Sequence, residues 1–318
     1  MQQKVNSSEL MGFEENGIGH CIRMSREARG YSQLDICDGI CSIATLSLIE
    51  DGKEKADYWT LEALLDRMRV NKTEYDFFLD DDTFALYKLR EAIKLNIKKK
   101  ECEEAEKNLA VYQEKYGEGN LHRQFLFLQE AYLERTKPES DKDKKKELFQ
   151  KAIAVTAPNY KEIFEKKGAL SNLELECIAE IIHCTESPEE RELECEALYK
   201  YFQWNGERDR FFPPAYRIAM QYYAETLYEN GKFEDCIRIC NEVLEELYGT
   251  SKVENRAQIF LLRAKSREGK GIENEEEKKL CLRDYMTAYT VISIYDGKEE
   301  AKDLKEYIVE KYGWHYIV

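Results

Sequence analysis

Residues 32 to 52, SQLDICDGICSIATLSLIEDG, confine two short helices and the turn between them to a single window. Ser32 is placed to cap the first helix, Leu34 and Cys37 face inward, and Asp38-Gly39 supplies the turn. Ser42 caps the second helix, which sets Leu46 and Ile49 on one side. That helix ends at Glu50-Asp51-Gly52, where glycine takes the left-handed conformation just past a helix end. Two short helices joined by a glycine-containing turn form a helix-turn-helix.

The flanks extend the pattern. Ile18 to Arg29 reads as an amphipathic helix with Ile18, Cys21, Ile22 and Ala28 inward and Arg23, Arg26 and Arg29 outside. Tyr58 to Met68 reads as a further helix with Trp59, Leu61, Leu64, Leu65 and Met68 toward a core. Residues 18 to 70 thereby resemble the Xre/Cro-like DNA-binding domains. The match is carried by Ile22, Arg23, Arg26, Gly30-Tyr31-Ser32-Gln33, Leu46-Ser47, Ile49-Glu50, Gly52, Leu61 and Leu64. The resemblance implies that Gln33 sits against a phosphate, where an amide and a helix N-terminus both donate to the anion. It implies a groove-facing surface of Ser42, Ile43, Ala44, Thr45 and Ser47, with Arg23 and Lys53 as further DNA contacts. Arg26 and Glu50 match an internal ion pair of that family and take a structural role.

Two positions depart from the family pattern. A polar residue usually stands just inside the recognition helix and often an arginine before the Ile-Glu pair; this chain has Ile43 and Leu48. Bidentate base readout is poorly supplied, which shifts the burden to thymine-methyl contact, backbone contact or DNA shape. The whole chain carries a net charge of -15, so nonspecific attraction to DNA is weak and depends on orientation.

The 318 residues have room for two or three domains, and no run of 18 apolar residues suggests a membrane span. The opening MQQKVNSSELMGFEEN lacks the basic-then-apolar pattern of a signal peptide, so a cytoplasmic protein is expected. Ten cysteines occur without a CxxC, and His20, His122, His183 and His315 form no ligand spacing with them. They read as small buried residues of a reduced protein, with no metal and no cofactor.

From residue 84 onward apolar residues recur at three and four, strand signals are nearly absent, and the chain holds only five prolines, so it reads as helix after helix. The segment AYRIAMQYYAETLYENGKFEDCIRICNEVLEEL, Ala215 to Leu247, resembles a tetratricopeptide repeat. Ala224 gives the close helix contact, Gly231 the turn and Phe233 the packing residue after it; Cys236 and Cys240 replace the usual small and aromatic residues. Weaker copies are anchored on Ala92, Ala131, Ala179 and Ala264. The expected fold is all-α: an arm over 1–17, a helix-turn-helix domain over 18–72, a linker over 73–83, and a tetratricopeptide-like solenoid over 84–318.

First helices of such repeats line a concave face. Copy by copy, that places Asn96, then Tyr132 and Arg135, then Glu176, Glu180 and His183, then Gln221, Glu225 and Tyr228, then Gln258 and Lys265 in the groove. Amides there suit the backbone of an extended peptide and aromatics its side chains. An Xre-like domain ahead of a helical-repeat solenoid resembles the Rgg/PlcR (RNPP) group of peptide-sensing regulators, and the segments ADYWTLEALLDRM and EYDFFL (74–79) are similar to the Rgg type. The resemblance implies a homodimer that binds a double-stranded DNA operator, senses a short signalling peptide, and is neither membrane-bound nor an enzyme. A second reading keeps the helix-turn-helix fold only as a docking module of a protein-interaction adaptor. No nucleotide loop or nucleophile with a positioned base supports a catalytic reading.

Overall fold

The structure, a computed structural model, describes residues 17–70, 81–209, 213–247, 256–295, 299 and 301–313. The expected arm up to residue 16 and most of the expected linker, with the 74–79 segment, lie outside the described residues. Every regular element among the described residues is a helix, and the chain divides into two compact units, residues 1–184 with 204–213 and residues 185–203 with 214–318.

The first unit begins with α1 (Gly17–Ala28), α2 (Gln33–Cys37), α3 (Ile43–Glu50) and α4 (Tyr58–Arg67). Each of the last three starts on a side-chain cap that satisfies a free backbone N–H. Ser32 forms a reciprocal capping box with Asp35, Ser42 accepts from the Thr45 N–H, and Asp57 accepts from Trp59 and Thr60. Gly30, Gly39 and Gly52 carry positive φ at the three chain reversals between these helices. Ile22, Tyr31, Ile36, Cys37, Leu46, Ile49, Leu61, Leu64, Leu65 and Met68 make one core, which also takes in Ala169 from the repeats.

Three inward assignments are corrected. Ile18 is 42% exposed, because α1 meets α3 backbone to backbone at Gly19, where an added Cβ would stand 1.9 Å from the Ile49 carbonyl oxygen. Leu34 is 53% exposed, since a five-residue helix has room to bury only one patch and that patch is Ile36–Cys37. Ala28 is likewise exposed, and the Cys21 side chain lies outside the described residues.

The unit continues with α5 (Asp81–Lys98), α6 (Cys102–Tyr116), α7 (Asn120–Thr136), α8 (Lys142–Thr156), the short α9 (Tyr160–Glu165) and α10 (Asn172–His183). Sequence neighbours pack as pairs, α5 on α6 and α7 on α8, with α10 returning onto α8. Trp59 of α4 joins the core of α5, α6 and α7 alongside Ile93, Leu109, Tyr112 and Phe125. The helix-turn-helix domain is therefore fused to the first repeats rather than tethered to them. Arg67 at the end of α4 donates to the Ile36 and Asp38 carbonyls and to the buried Glu174 of α10, and Asn120 donates to the Gly39 carbonyl at 3.1 Å.

α11 (Pro188–Asp209) is shared between the units. The second unit adds α12 (Pro214–Glu229), α13 (Phe233–Leu247), α14 (Arg256–Lys270), α15 (Glu275–Tyr295) and α16 (Lys302–Tyr312), each packed on the next. Ala224 is fully buried, Gly231 reverses the chain at φ 72°, and Cys236 and Cys240 sit in the α13 core, as a tetratricopeptide pair requires. The anchors Ala131, Ala179 and Ala264 are buried too, while Ala92 is only half-buried. Glu268 collects the hydroxyls of Tyr285, Tyr307 and Tyr312 and so ties the last helix down. The described cysteines are free thiols, Cys41 and Cys102 half-buried and the others buried.

Candidate functional site

The N-terminal turn of α3 is open. Ser42, Ile43 and Ala44 are exposed, Thr45 and Ser47 are half-buried, and the Ser42 hydroxyl bonds both the Thr45 N–H and the Thr45 hydroxyl. Ile43 and Leu48 are 47% and 41% exposed, so the helix offers apolar surface beside its hydroxyls.

The polar side chains expected around this helix are tied to its C-terminal end. Arg26 donates to both carboxylate oxygens of Glu50, Nε at 2.6 Å and Nη2 at 2.9 Å, and its Nη1 reaches the Tyr31 carbonyl. Gln33 donates to Glu50 Oε2 at 2.8 Å, which fixes its amide at the start of α2. Burial pushes the Glu50 carboxyl up, but the Arg26 and Gln33 hydrogen bonds outweigh it and leave the group below its ordinary value, ionised. Arg23 bridges Asp51 and Glu50, and Lys53 donates to Asp51 at 2.9 Å. Two of the expected DNA-contacting cations thus hold acidic partners of their own.

The expected groove residues fall into two sets. In the first unit, α4, α5, α7, α8 and α10 line an open cavity of about 900 Å³ whose wall includes Tyr132, Arg135 and Glu176. The Tyr132 hydroxyl donates to Glu176, Arg135 Nη1 donates to Glu180 at 2.8 Å, and the Arg135 guanidinium lies 4.9 Å from the Tyr132 ring. His183, at the end of α10, is half-buried. Asn96 is not in that wall: its amide donates to Glu101 at 2.7 Å and accepts from Asn108 at 3.1 Å, closing the end of α5. In the second unit, Gln221 donates to Glu225 at 3.0 Å and Gln258 also bonds that carboxylate. Burial nevertheless raises the Glu225 carboxyl above its ordinary value. Tyr228 packs on Phe233 at 5.8 Å, and Lys265 is exposed.

Part of the cavity wall escaped the repeat reasoning. Tyr58, Glu62 and Asp66 come from α4, the last helix of the helix-turn-helix domain, and Arg90 comes from α5. Arg90 lies 3.7 Å over the Trp59 ring and donates to the Tyr112 hydroxyl at 2.7 Å. One signal for this region was present in the sequence: Ser171-Asn172-Leu173-Glu174 is a capping box, and it starts α10 where Arg67 arrives. Among the described residues no group of His, Cys, Asp and Glu could hold a metal ion, and no helix is long and apolar enough to cross a membrane.

No protein-family model and no curated protein matches the sequence. Solved structures do. Bacillus thuringiensis PlcR, crystallised in complex with the peptide PapR7 and DNA, is 17% identical with a TM-score of 0.50, over 92% of this chain and 99% of that one. A putative transcriptional regulator from Listeria monocytogenes is 15% identical (TM-score 0.43, 92% and 97% covered). The apo competence regulator ComR from Streptococcus vestibularis is 18% identical (TM-score 0.41, 93% and 98% covered). With the capped α2–α3 pair and the alanine-anchored helix pairs, the PlcR likeness gives this chain the fold of the RNPP group, a helix-turn-helix followed by tetratricopeptide-like repeats.

Proposed function

We propose that this chain is a DNA-binding transcriptional regulator, not an enzyme, whose helical repeats sense a short peptide and pair two copies into a homodimer. The observation that carries the reading is the open, Ser42-capped N-terminus of α3, set in the fold of a protein crystallised with both DNA and a peptide. In this reading Ser42, Ile43, Ala44, Thr45 and Ser47 face the groove, and Arg23, Gln33 and Lys53 approach the phosphates by exchanging their acidic partners for the anion. Tyr132, Arg135, Glu176, Glu180 and His183 are the candidate peptide contacts of the first unit, and Gln221, Glu225, Tyr228, Gln258 and Lys265 those of the second; Asn96, expected with them, lies outside the first unit's cavity wall. Peptide shifts the placement of two DNA domains by its differential affinity for the two arrangements. Half-sites then lie one helical turn, or a multiple, apart.

The test is a mobility shift and footprint on the DNA flanking the chain's own gene, at stated salt, with Ser42, Thr45 and Ser47 changed together to alanine. Protection by the wild-type chain that the triple variant loses supports the reading. No protected operator, with or without peptide extract, removes it. That second outcome favours an adaptor that keeps the helix-turn-helix fold without reading sequence, a role suited to the exposed Ile43 and Leu48 and to the engagement of Arg23 and Lys53 by Asp51.

A further inference from the structure

The cavity lined by α4, α5, α7, α8 and α10 has Glu176 in its wall, a carboxylate with no ion pair among the described residues. Lys94 is held by Glu91 at 2.8 Å and Arg135 by Glu180 at 2.8 Å; Glu174 pairs with Arg67, and Asp66 accepts the Asn172 N–H at 3.0 Å. Arg90 is spent on the rings of Trp59 and Phe125 and on the Tyr112 hydroxyl. Glu176 receives one hydrogen bond, from Tyr132, and has no ion pair among the described residues. Burial pushes its carboxyl up against the pull of Tyr132; Glu180 and Asp66 push the same way as burial, Arg135 opposes them, and the group stays above its ordinary value. A carboxylate so placed is stabilised by any cation that arrives from the open side of the cavity.

At about 900 Å³ the space is within the range of about 300–1,000 Å³ that holds small ligands. We infer that this cavity seats a lysine or arginine side chain of the sensed peptide on Glu176, with the neighbouring peptide residues against Tyr58 and Leu128. The inference rests on the peptide-sensing reading above and adds to it the chemistry of the ligand and the elements the ligand ties together. Tyr58, Glu62 and Asp66 belong to the last helix of the helix-turn-helix domain, whereas Tyr132 and Glu176 belong to the repeats. A ligand that touches both walls binds only while α4 lies against the repeats, so it stabilises that arrangement in proportion to its concentration over its Kd. The peptide then acts on the DNA domain by direct contact.

The experiment uses the full chain and hexapeptide pools, acetylated and amidated, in which one position is fixed as Lys, Arg, norleucine or Glu. Retention of each pool is measured for the wild-type chain and for Glu176→Gln, which keeps an acceptor for Tyr132. Enrichment of the Lys or Arg pools by about tenfold over norleucine, lost in Glu176→Gln with the unliganded melting temperature unchanged, is the expected result. Equal retention of norleucine or Glu pools, or a cation preference that survives in Glu176→Gln, overturns the inference and leaves the peptide-sensing reading standing. Retention of no pool also overturns it, and the footprint on flanking DNA then decides separately whether the regulator reading survives. If Glu176→Gln lowers the unliganded melting temperature, Glu62→Gln is measured as the second variant, and an unchanged cation preference there counts against the α4 wall.

Discussion

Arg67 and Glu174, 107 residues apart in the chain, form a buried ion pair that joins the end of the helix-turn-helix domain to the first turn of α10. Burial pulls the Glu174 carboxyl up, but Arg67, the Ser171 N–H and Thr156 together hold it below its ordinary value. Its contribution to stability is therefore present above the ordinary glutamate value of 4.5 and is lost as the pH falls through the lower folded value. Arg67→Met leaves Glu174 unpaired and should cost about 3–5 kcal/mol at neutral pH, measured by denaturant unfolding. In that variant burial dominates, the folded value moves above the ordinary one, and stability should rise rather than fall as the pH drops toward it. Arg67→Met with Glu174→Leu should recover much of the loss but not all, since the Ile36 and Asp38 carbonyls still lack their donor.

Gly39 sits at φ 72°, and a Cβ there would stand 2.3 Å from the Thr156 carbonyl oxygen. Gly231 has the same φ with nothing within 4 Å of its added Cβ. Gly231→Ala should thus lose only the backbone preference, about 1 kcal/mol, whereas Gly39→Ala adds a backbone clash and should lose clearly more. Equal losses in urea melts would mean that α8 yields to the turn at little cost.

What was legible in the sequence is what acts locally. The caps at Ser32 and Ser42, the glycine after Glu50 and the Leu46–Ile49 stripe each depend on neighbours within a turn or two. Alanine anchors such as Ala224 were legible for the same reason: a small residue at a close helix contact repeats at the period of the helix pair. Ile18 and Leu34 went astray because helical periodicity does not show that the α1–α3 approach occurs at Gly19, or that α2 stops after five residues. The cavity was hidden more deeply. Its wall is drawn from five helices, and the contribution of α4 follows from the Arg67 and Trp59 contacts, which no spacing rule encodes.

His122 shares a proton network with Tyr112, whose hydroxyl lies 2.7 Å from its Nδ1, and with Arg90 at 3.3 Å. Burial lowers its pKa from the ordinary 6.5, Arg90 lowers it further, and Asp57 opposes both. A histidine held neutral by the fold binds fewer protons than it does unfolded, so it favours the folded state above 6.5, and that advantage fades as the pH falls below it. His122→Asn should flatten the pH dependence of unfolding below 6.5. An unchanged slope would place the acid sensitivity in the carboxylates instead.

Leu48 is 41% exposed on α3, where the resembled domains often carry an arginine. If α3 lies along DNA, Leu48→Arg adds a cation close to the phosphates. Binding to the flanking DNA should tighten at low salt, and the slope of log K against log salt should steepen by about 0.9 for one added phosphate contact. Leu193→Arg, on α11 and 68% exposed in the wild-type chain, makes the same change in net charge away from the helix-turn-helix sequence and is the control. A steeper slope for Leu48→Arg alone ties DNA to this face of α3. Equal effects of the two variants would reduce the gain to overall charge, and no effect of either would take α3 out of the interface.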